Sequence, residues 1–345
     1  MTTAPVQAPV VPVDERWLWL DDSPEAASAW MERYLTVQNE FGQIVRWRTY
    51  PQQFQMLVDE TGRDITVKSR QTRATTLKLA RRLRRFTSGA VWGANCLVAG
   101  DTDETTSRFR AKLKHWIEND LRRHGFDLRL RPDNEDELVL EGLENRFIFG
   151  SGEQRNLGRS YSIQDCLLSE FAHWKEVALE HIGSIIPAVP GPPRGAIDIE
   201  STPKGEEGAF FLYVNDARPI NPHGLWTVRL YPWWMEPRYT VSDNPEDATD
   251  IVIMHDELVE LRNTFKPDDQ EQRLMVENNL SVERILWRRI KKSEQDKTTA
   301  PFLQEFVESL DTCFVGVQGK FFDTPDGADH LQHYRDLRAA PSRLF

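Results

Sequence analysis

Between residues 65 and 217 the chain alternates short β-rich runs with longer stretches of helical periodicity. The pairs are 65–68 before 75–86, 95–99 before 105–124, then 138–140 and 147–150, 166–168 before 171–181, and 196–200 before 208–217. Parallel strands must be joined by crossovers, and helices supply them, so this rhythm predicts an α/β fold built on a mainly parallel sheet. The runs are short and apolar, which suits strands covered on both faces. In such sheets ligands gather at the carboxyl ends of the strands, so the chemistry is sought just after each run.

Outside this block the pattern differs. Residues 1–14, rich in Pro, Val and Thr, have no face to bury and read as a flexible tail. Apolar residues recur at helical spacing over 17–40, where Ser23-Pro24-Glu25 supplies an N-cap and a proline at the first helical position, so a helical prelude is expected. Past Tyr231-Pro232-Trp233-Trp234 come helical segments at 255–265 and 270–292, with an acidic, proline-containing stretch at 243–250 before them. The expected organisation is a core over 15–230, a small helical lid or linker subdomain over 231–323 and a second tail over 324–345. The eleven tryptophans read as core or interface anchors.

Forty-three basic against 54 acidic side chains give a net charge of −11, the wrong sign for a protein that coats nucleic acid with its whole surface. Any such contact is local. Basic density occurs in Lys78, Arg81, Arg82, Arg84 and Arg85, and in Arg284, Arg288, Arg289, Lys291 and Lys292. These runs read as solvated helix faces or as contacts to a nucleic acid or a neighbouring subunit. No window of 18 uncharged apolar residues occurs, and the first fourteen residues lack the basic start and apolar centre of a signal peptide, so no membrane contact and a cytoplasmic location are expected. Cys96, Cys166 and Cys313 lie far apart with no CxxC pair, which leaves them as small core residues.

The strongest local signal runs from Asp64 to Thr76: a short strand, a polar loop, then a helix. Such a turn suits phosphate, because backbone N–H groups and a helix N-terminus point at it, a lysine neutralises it and a Ser or Thr hydroxyl holds Mg²⁺. The residues in place are Lys68, Ser69, Arg70, Gln71, Thr72, Arg73, Ala74, Thr75 and Thr76. Lys68 stands at the strand end, from which its amine can swing back over the loop, and Thr75 opens the helix where a Mg²⁺ ligand belongs. Written K-x-R-Q-x-G-x-T, the pattern resembles the variant Walker A loop of the large terminase subunit, the ATPase that packs DNA into tailed-phage capsids. Arg73 replaces the glycine of that pattern. If the position needs φ > 0, the substitution costs on the order of 1 kcal/mol.

Four further segments follow the family's order. Trp47-Arg48-Thr49-Tyr50-Pro51-Gln52-Gln53 stands where the family reads adenine, with Gln53 the first choice and Gln52 the alternative. The stretch from Cys166 to Trp174 resembles a Walker B strand, with Glu170 as the catalytic carboxylate or, alternatively, a plain helix cap. Ser169 replaces the usual Asp, so Mg²⁺ would be held there by a hydroxyl or through water, alongside Thr75; Asp165 lies on the wrong side of the strand to substitute. The segment from Phe147 to Ser160 resembles the one that places an arginine before Walker B: Arg159 would act in trans, Arg70 from the loop itself. Finally, Ala196 to Gly205 resembles the coupling motif, with Ser201 and Thr202 sensing phosphate at a strand end.

The resemblance extends through the lid to about Asp323 and implies a P-loop NTPase of the RecA/ASCE type that uses ATP and Mg²⁺ to move double-stranded DNA, gripped by its phosphate backbone without base reading, into a procapsid. It also implies a homo-oligomeric ring on a portal protein and a small terminase subunit as partner. Only 22 residues follow Asp323, so the family's metal nuclease is either on the rest of a longer protein or on a separate chain. Two other readings stay open: a RecA-like or helicase-type ATPase outside packaging, and a nucleotide-binding structural subunit that has lost hydrolysis.

Overall fold

The computed structural model describes residues 13–39, 41–131, 134–154, 157–158, 161–174, 177–217, 225–247, 249–295 and 301–314. Most of the two expected tails lies outside these residues.

The chain opens with α1 (Arg16–Leu20) and α2 (Pro24–Tyr34), then a hairpin of β1 (Thr36–Gln38) and β2 (Ile44–Arg46). The single prelude helix expected over 17–40 is therefore broken. Ser23 Oγ accepts from Ala26 N at 3.2 Å and restarts the helix at Pro24. The β-branched Thr36 and Val37 then favour a strand, which pairs antiparallel with β2.

After α3 (Pro51–Val58) the alternation begins: β3 (Arg63–Lys68), α4 (Ala74–Thr87), β4 (Asn95–Gly100), α5 (Asp103–His115), β5 (Glu137–Val139), β6 (Arg146–Ser151), β7 (Asp165–Ser169), α6 (Ala178–Ala188), β8 (Ala196–Ser201), α7 (Gly208–Ala217) and β9 (Thr227–Tyr231). The seven strands β3–β9 form one sheet in the order β5-β6-β4-β7-β8-β3-β9, parallel except for β5 against β6. The α/β class and the mainly parallel sheet are as expected. Edge strand β9 had no counterpart in the sequence reading. Helix α5 passes into a π-helical turn at Trp116–Leu121, where Trp116 Nε1 donates to Thr36 O at 2.8 Å and Asp120 accepts from Thr36 N at 2.7 Å. The helix expected over 171–181 starts later, because a 3-10 turn at Phe171–His173 intervenes before α6.

Two apolar clusters sandwich the sheet. On one face Leu77, Ala80, Leu83 and Phe86 of α4 pack with Trp30 and Met31 of α2 and Leu113 of α5. On the other, Ile182 and Ile185 of α6 and Phe210 and Val214 of α7 cover Ile65, Val67, Leu168, Ile197 and Ile199. Cys96, Cys166 and Cys313 are buried free thiols, as expected of core residues.

A third cluster lies beyond β9. There β10 (Val241–Ser242) pairs with β11 (Ile251–Val252), followed by α8 (His255–Thr264), α9 (Asp269–Asn278), α10 (Val282–Gln295) and α11 (Phe302–Glu305). The one helix expected over 270–292 is two, because Asn279 takes a left-handed conformation (φ +51°) that ends α9. Trp233, Tyr239, Trp287, Phe302 and Phe306 form the aromatic centre of this cluster, Tyr239 stacking on Trp287 at 4.5 Å.

The two basic runs are not solvated faces. Under α4, Lys78 and Arg82 grip Asp198 of β8 at 2.5 and 2.7 Å, Arg82 and Arg85 reach Asp165 of β7 at 2.8 and 3.3 Å, and Arg84 donates to Leu18 O at 2.6 Å. In α10, Arg288 pairs with Glu308 at 2.6 Å, Arg289 with Glu271 at 2.6 Å and Lys291 with Asp250 at 3.2 Å. These cations hold the protein's own layers together.

Burial alone would raise the Asp198 carboxyl, but Lys78 and Arg82 outweigh it and bring the group down to about 2. Removing this anion leaves the buried Lys78 ammonium unpaired and takes one of the two carboxylates from Arg82, which keeps Asp165. We expect Asp198→Ala to cost about 3–5 kcal/mol in urea-unfolding experiments at pH 7. Because the folded-state value is depressed, the contribution is complete above the ordinary aspartate value and is lost as pH falls through about 2. Asp198→Asn should lack this part of the acid sensitivity of the wild type.

Candidate active site

The strand order places β8 between β3, which carries the loop, and β7, which carries the acidic tip. The carboxyl ends of the three strands therefore deliver Lys68, Ser169, Glu170, Glu200 and Ser201 to one place, and the first turn of α4 adds Thr75.

Lys68 Nζ lies 2.8 Å from Glu170 Oε1 and 3.1 Å from Glu200 Oε2. Burial would lower this lysine, but the Glu200 and Glu170 carboxylates outweigh it and hold the ammonium well above the usual lysine range. Glu200 is fully buried. Its Oε1 accepts from Thr75 Oγ1 at 2.6 Å and from Ser169 Oγ at 2.5 Å, and those two hydroxyls are 3.4 Å apart. Its Oε2 makes no hydrogen bond among the described residues and has only the ion pair with Lys68. Glu170 is partly exposed and sits at φ +53°, a conformation that a non-glycine residue adopts only when its surroundings hold it there.

The loop itself is held from outside. Ser69 N donates to Tyr231 O at 3.1 Å and Arg70 N to Glu305 O at 2.8 Å; Tyr239 Oη donates to Arg70 O at 2.6 Å, and Val307 N to Ser69 Oγ at 3.1 Å. Thr72 Oγ1 closes the turn on Ser69 O at 3.2 Å. Gln71 and Arg73 both take left-handed conformations, φ +56° and +59°. The glycine position of the motif thus does need positive φ, and Arg73 meets it, with its guanidinium 5.1 Å over the Tyr50 ring. Ala74 is buried at the start of α4, whose first N–H groups have no intrahelical acceptor and point toward the loop.

Several residues singled out in the sequence are directed elsewhere. Thr76 Oγ1 accepts from Lys112 Nζ of α5 at 2.8 Å, so its hydroxyl faces that helix. Arg70 pairs with Glu305 at 2.9 Å in the lid. Gln53 uses its side-chain oxygen on Tyr50 N at 3.1 Å, while Gln52 is buried, donates to Glu236 Oε2 at 2.6 Å and keeps an oxygen without a hydrogen bond. Arg159 lies outside the described residues. Ser201 Oγ accepts from Ala172 N at 3.1 Å and lies 3.5 Å from Glu170 Oε2, and Thr202 Oγ1 is 3.2 Å from His173 Nε2. Both hydroxyls therefore tie the end of β8 to the segment after β7.

Glu200 and Glu305 were not assigned from the sequence. For Glu200 a signal existed: in Ala196-Ile-Asp-Ile-Glu-Ser201 acids alternate with isoleucines inside what must be a central strand, where a continuous apolar run is the norm. Glu305 reaches the loop from more than 200 residues away, and no local pattern announces it. A cleft of about 370 Å³ opens toward the amino ends of the strands, among Asp64, Arg82, Asp165 and Asp198, where Arg82 is paired with both Asp165 and Asp198. Among the described residues no group of three or more His, Cys, Asp or Glu is placed to hold a metal, and no helix is long and apolar enough to cross a membrane.

No protein-family model matches the chain, and no curated protein matches it. Solved structures do. The chain is similar to the large terminase of bacteriophage HK97, with 13% identity and a TM-score of 0.54 over 82% of this chain and 54% of that one. It also matches the large terminase ATPase domain of Thermus phage P74-26, with 14% identity and a TM-score of 0.45 over 66% of this chain and 92% of that one. A third match is the large terminase of another thermophilic bacteriophage, in complex with ADP, with 16% identity and a TM-score of 0.39 over 51% of this chain and 41% of that one. The chain spans about half the length of the HK97 protein. It shares the fold of the matched part of the HK97 large terminase, so the resemblance drawn from the motifs is borne out at the level of fold.

Without the Lys68 ammonium, the buried Glu200 carboxylate and its neighbour Glu170 would be left without their shared cation. Lys68→Met should therefore melt well below the wild type, and adding Glu200→Gln should recover part of that loss. No recovery would mean that Glu200 does not depend on the lysine.

Proposed function

We propose that the chain is the ATPase of a viral DNA-packaging motor, coupling ATP hydrolysis to the translocation of double-stranded DNA into a procapsid. The observation that carries this reading is the convergence of Lys68, Thr75, Ser169, Glu170 and Ser201, from three strand ends and one helix start, on a single cluster beside a loop of terminase pattern.

Each residue's part follows from its place. The loop over 69–76 and the N-terminus of α4 receive the phosphates, and Lys68 turns from its carboxylates to neutralise them. Glu170, partly exposed at the strand tip, accepts the proton of the attacking water. Thr75 and Ser169 bring hydroxyls to the buried Glu200 carboxylate, bonding its Oε1 while Oε2 has only the Lys68 ion pair, an all-oxygen donor set that fits Mg²⁺. Bound there with nucleotide, Mg²⁺ would neutralise charge on the β- and γ-phosphate oxygens. Ser201 lies against Glu170 and Thr202 against His173, so these hydroxyls sense whether phosphate is present and pass that to β8. Gln53, beside Tyr50, reads the base, with Gln52 as the alternative. Arg70, once released from Glu305, serves the transferred phosphoryl group from within the subunit, and Arg159 serves it from a neighbour in a ring. The ring would sit on a portal protein, be fed by a small terminase subunit and work with a nuclease on the same or another chain. Because most cations of the two basic runs are paired internally, the grip on the DNA backbone rests on a few cations and should weaken with salt.

The test is phosphate release from ATP with Mg²⁺, with and without linear double-stranded DNA. Glu170→Ala should lose about a hundredfold or more in turnover while still binding nucleotide, and Lys68→Ala should weaken both. Equal turnover in Glu170→Ala and wild type would overturn the assignment of the base. Nucleotide binding without turnover, in the presence of DNA and assembled partners, is the outcome expected of a structural subunit that has lost hydrolysis.

A further inference from the structure

The position that should carry a second acid at the tip of β7 is Ser169, a neutral hydroxyl. Its register partner across the ladder is Glu200 of β8, and directly paired residues project to the same face. Neighbouring strands are about 4.8 Å apart, and a glutamate reaches one methylene further than an aspartate. The Glu200 carboxylate bridges that gap: its Oε1 is 2.5 Å from Ser169 Oγ, where a side chain longer than serine would continue.

Two features separate Glu200 from a purely structural acid. Asp198, two residues earlier on the same face, is neutralised by two cations fixed on α4. Glu200 is instead met by two rotatable hydroxyls and by the ammonium of Lys68, which reaches in from the loop's mouth. One of its oxygens, fully buried, has no hydrogen bond at all among the described residues. Hydroxyls that donate to a carboxylate can turn their lone pairs to a cation, and a carboxylate whose only cation is a lysine ammonium can exchange it for a metal ion.

We propose that Glu200 supplies the carboxylate of the metal–nucleotide site in place of the acid absent at position 169. Lys68 fills the cation position between Glu200 and Glu170 in the nucleotide-free protein, and gives it up to Mg²⁺ when phosphates draw the lysine away. This rests on the nucleotide-binding reading above and adds which strand holds the metal's acid. It accounts for a buried carboxylate in the middle of a parallel sheet, for the neutral Ser169 beside it and for the sharing of Lys68 between two acids.

The experiment is equilibrium binding of a fluorescent ADP analogue to the full chain, with and without Mg²⁺. In the wild type Mg²⁺ should tighten binding. Glu200→Gln should lose roughly tenfold or more of that enhancement while binding without Mg²⁺ tightens, since a negative charge has left the vicinity of the phosphates. Ser169→Asp in the Glu200→Gln background returns an acid to β7 and should restore the enhancement; it also keeps the charge balance, so it serves where Glu200→Gln alone fails to fold. An unchanged Mg²⁺ enhancement in Glu200→Gln, or none in a folded double variant, would overturn the assignment and leave the nucleotide site standing. A wild-type chain that binds no nucleotide would overturn both.

Discussion

The ion pairs beneath α4 decide where everything at the carboxyl edge of the sheet can be. Thr75, Lys78, Arg82 and Arg85 follow one another at intervals of three and four, so they share a face of the helix. Opposite them stand Glu200 and Asp198 of β8 and Ser169 and Asp165 of β7, spaced to line one side of their strands. Apolar surfaces tolerate sliding, whereas a buried cation displaced from its anion is left unpaired at a cost of several kcal/mol. The helix is thereby fixed along its axis as well as against the sheet. Its first turn, which carries Thr75 and the open N–H groups, is set in position by charges up to three turns away.

The loop before that helix depends on a different part of the chain. Two left-handed, non-glycine residues, Gln71 and Arg73, would relax if the segment were free. They are held because the preceding residues are bonded from elsewhere in the chain: Ser69 by Tyr231 at the end of β9 and by Val307, Arg70 by Glu305 and Tyr239. The same arrangement brings the aromatic centre of the third cluster, Tyr239 and Phe306 against Trp287, within a few residues of the loop. A change in loop shape must therefore break or carry along bonds to this cluster, and a displacement of the cluster must deform the loop. Arg70 links them most directly, because its backbone N–H and its guanidinium are both bonded to Glu305.

Much of this fold was legible because period and punctuation are local. Strands β3, β4, β6, β7 and β8 fall within a residue or so of the expected runs, and Ser23-Pro24 starts a helix where its chemistry says it should. The misreadings have physical causes that are not local. Thr36 leaves helical geometry to pair with β2 and to meet Trp116 and Asp120, some eighty residues on. The helix after β7 waits for Ala178 because Phe171 and Trp174 are first drawn into the core, Trp174 donating to Ser169 O at 3.1 Å. The basic runs were misjudged for a related reason: a row of arginines on a helix reads as solvated until the acids that face it are known, and those facing α4 sit on strands 80 to 120 residues away.

The site shows the same division in sharper form. Lys68, Thr75 and Glu170 could be named because each stands at a strand end or helix start, where position alone suggests chemistry. Glu200 stands at a strand end too, but its neighbours Ser201 and Thr202 absorbed the interpretation, and Ser169 was weighed only as a defect in its own strand. Cross-strand register changes that judgement. In a parallel sheet with one strand inserted between the loop and the acidic tip, the position opposite 169 is as near the loop as 169 itself, so an acid can be missing from one and present on the other without loss of charge at the site. A serine read alone says that a carboxylate is absent; a serine read with its ladder partner says that it stands one strand over.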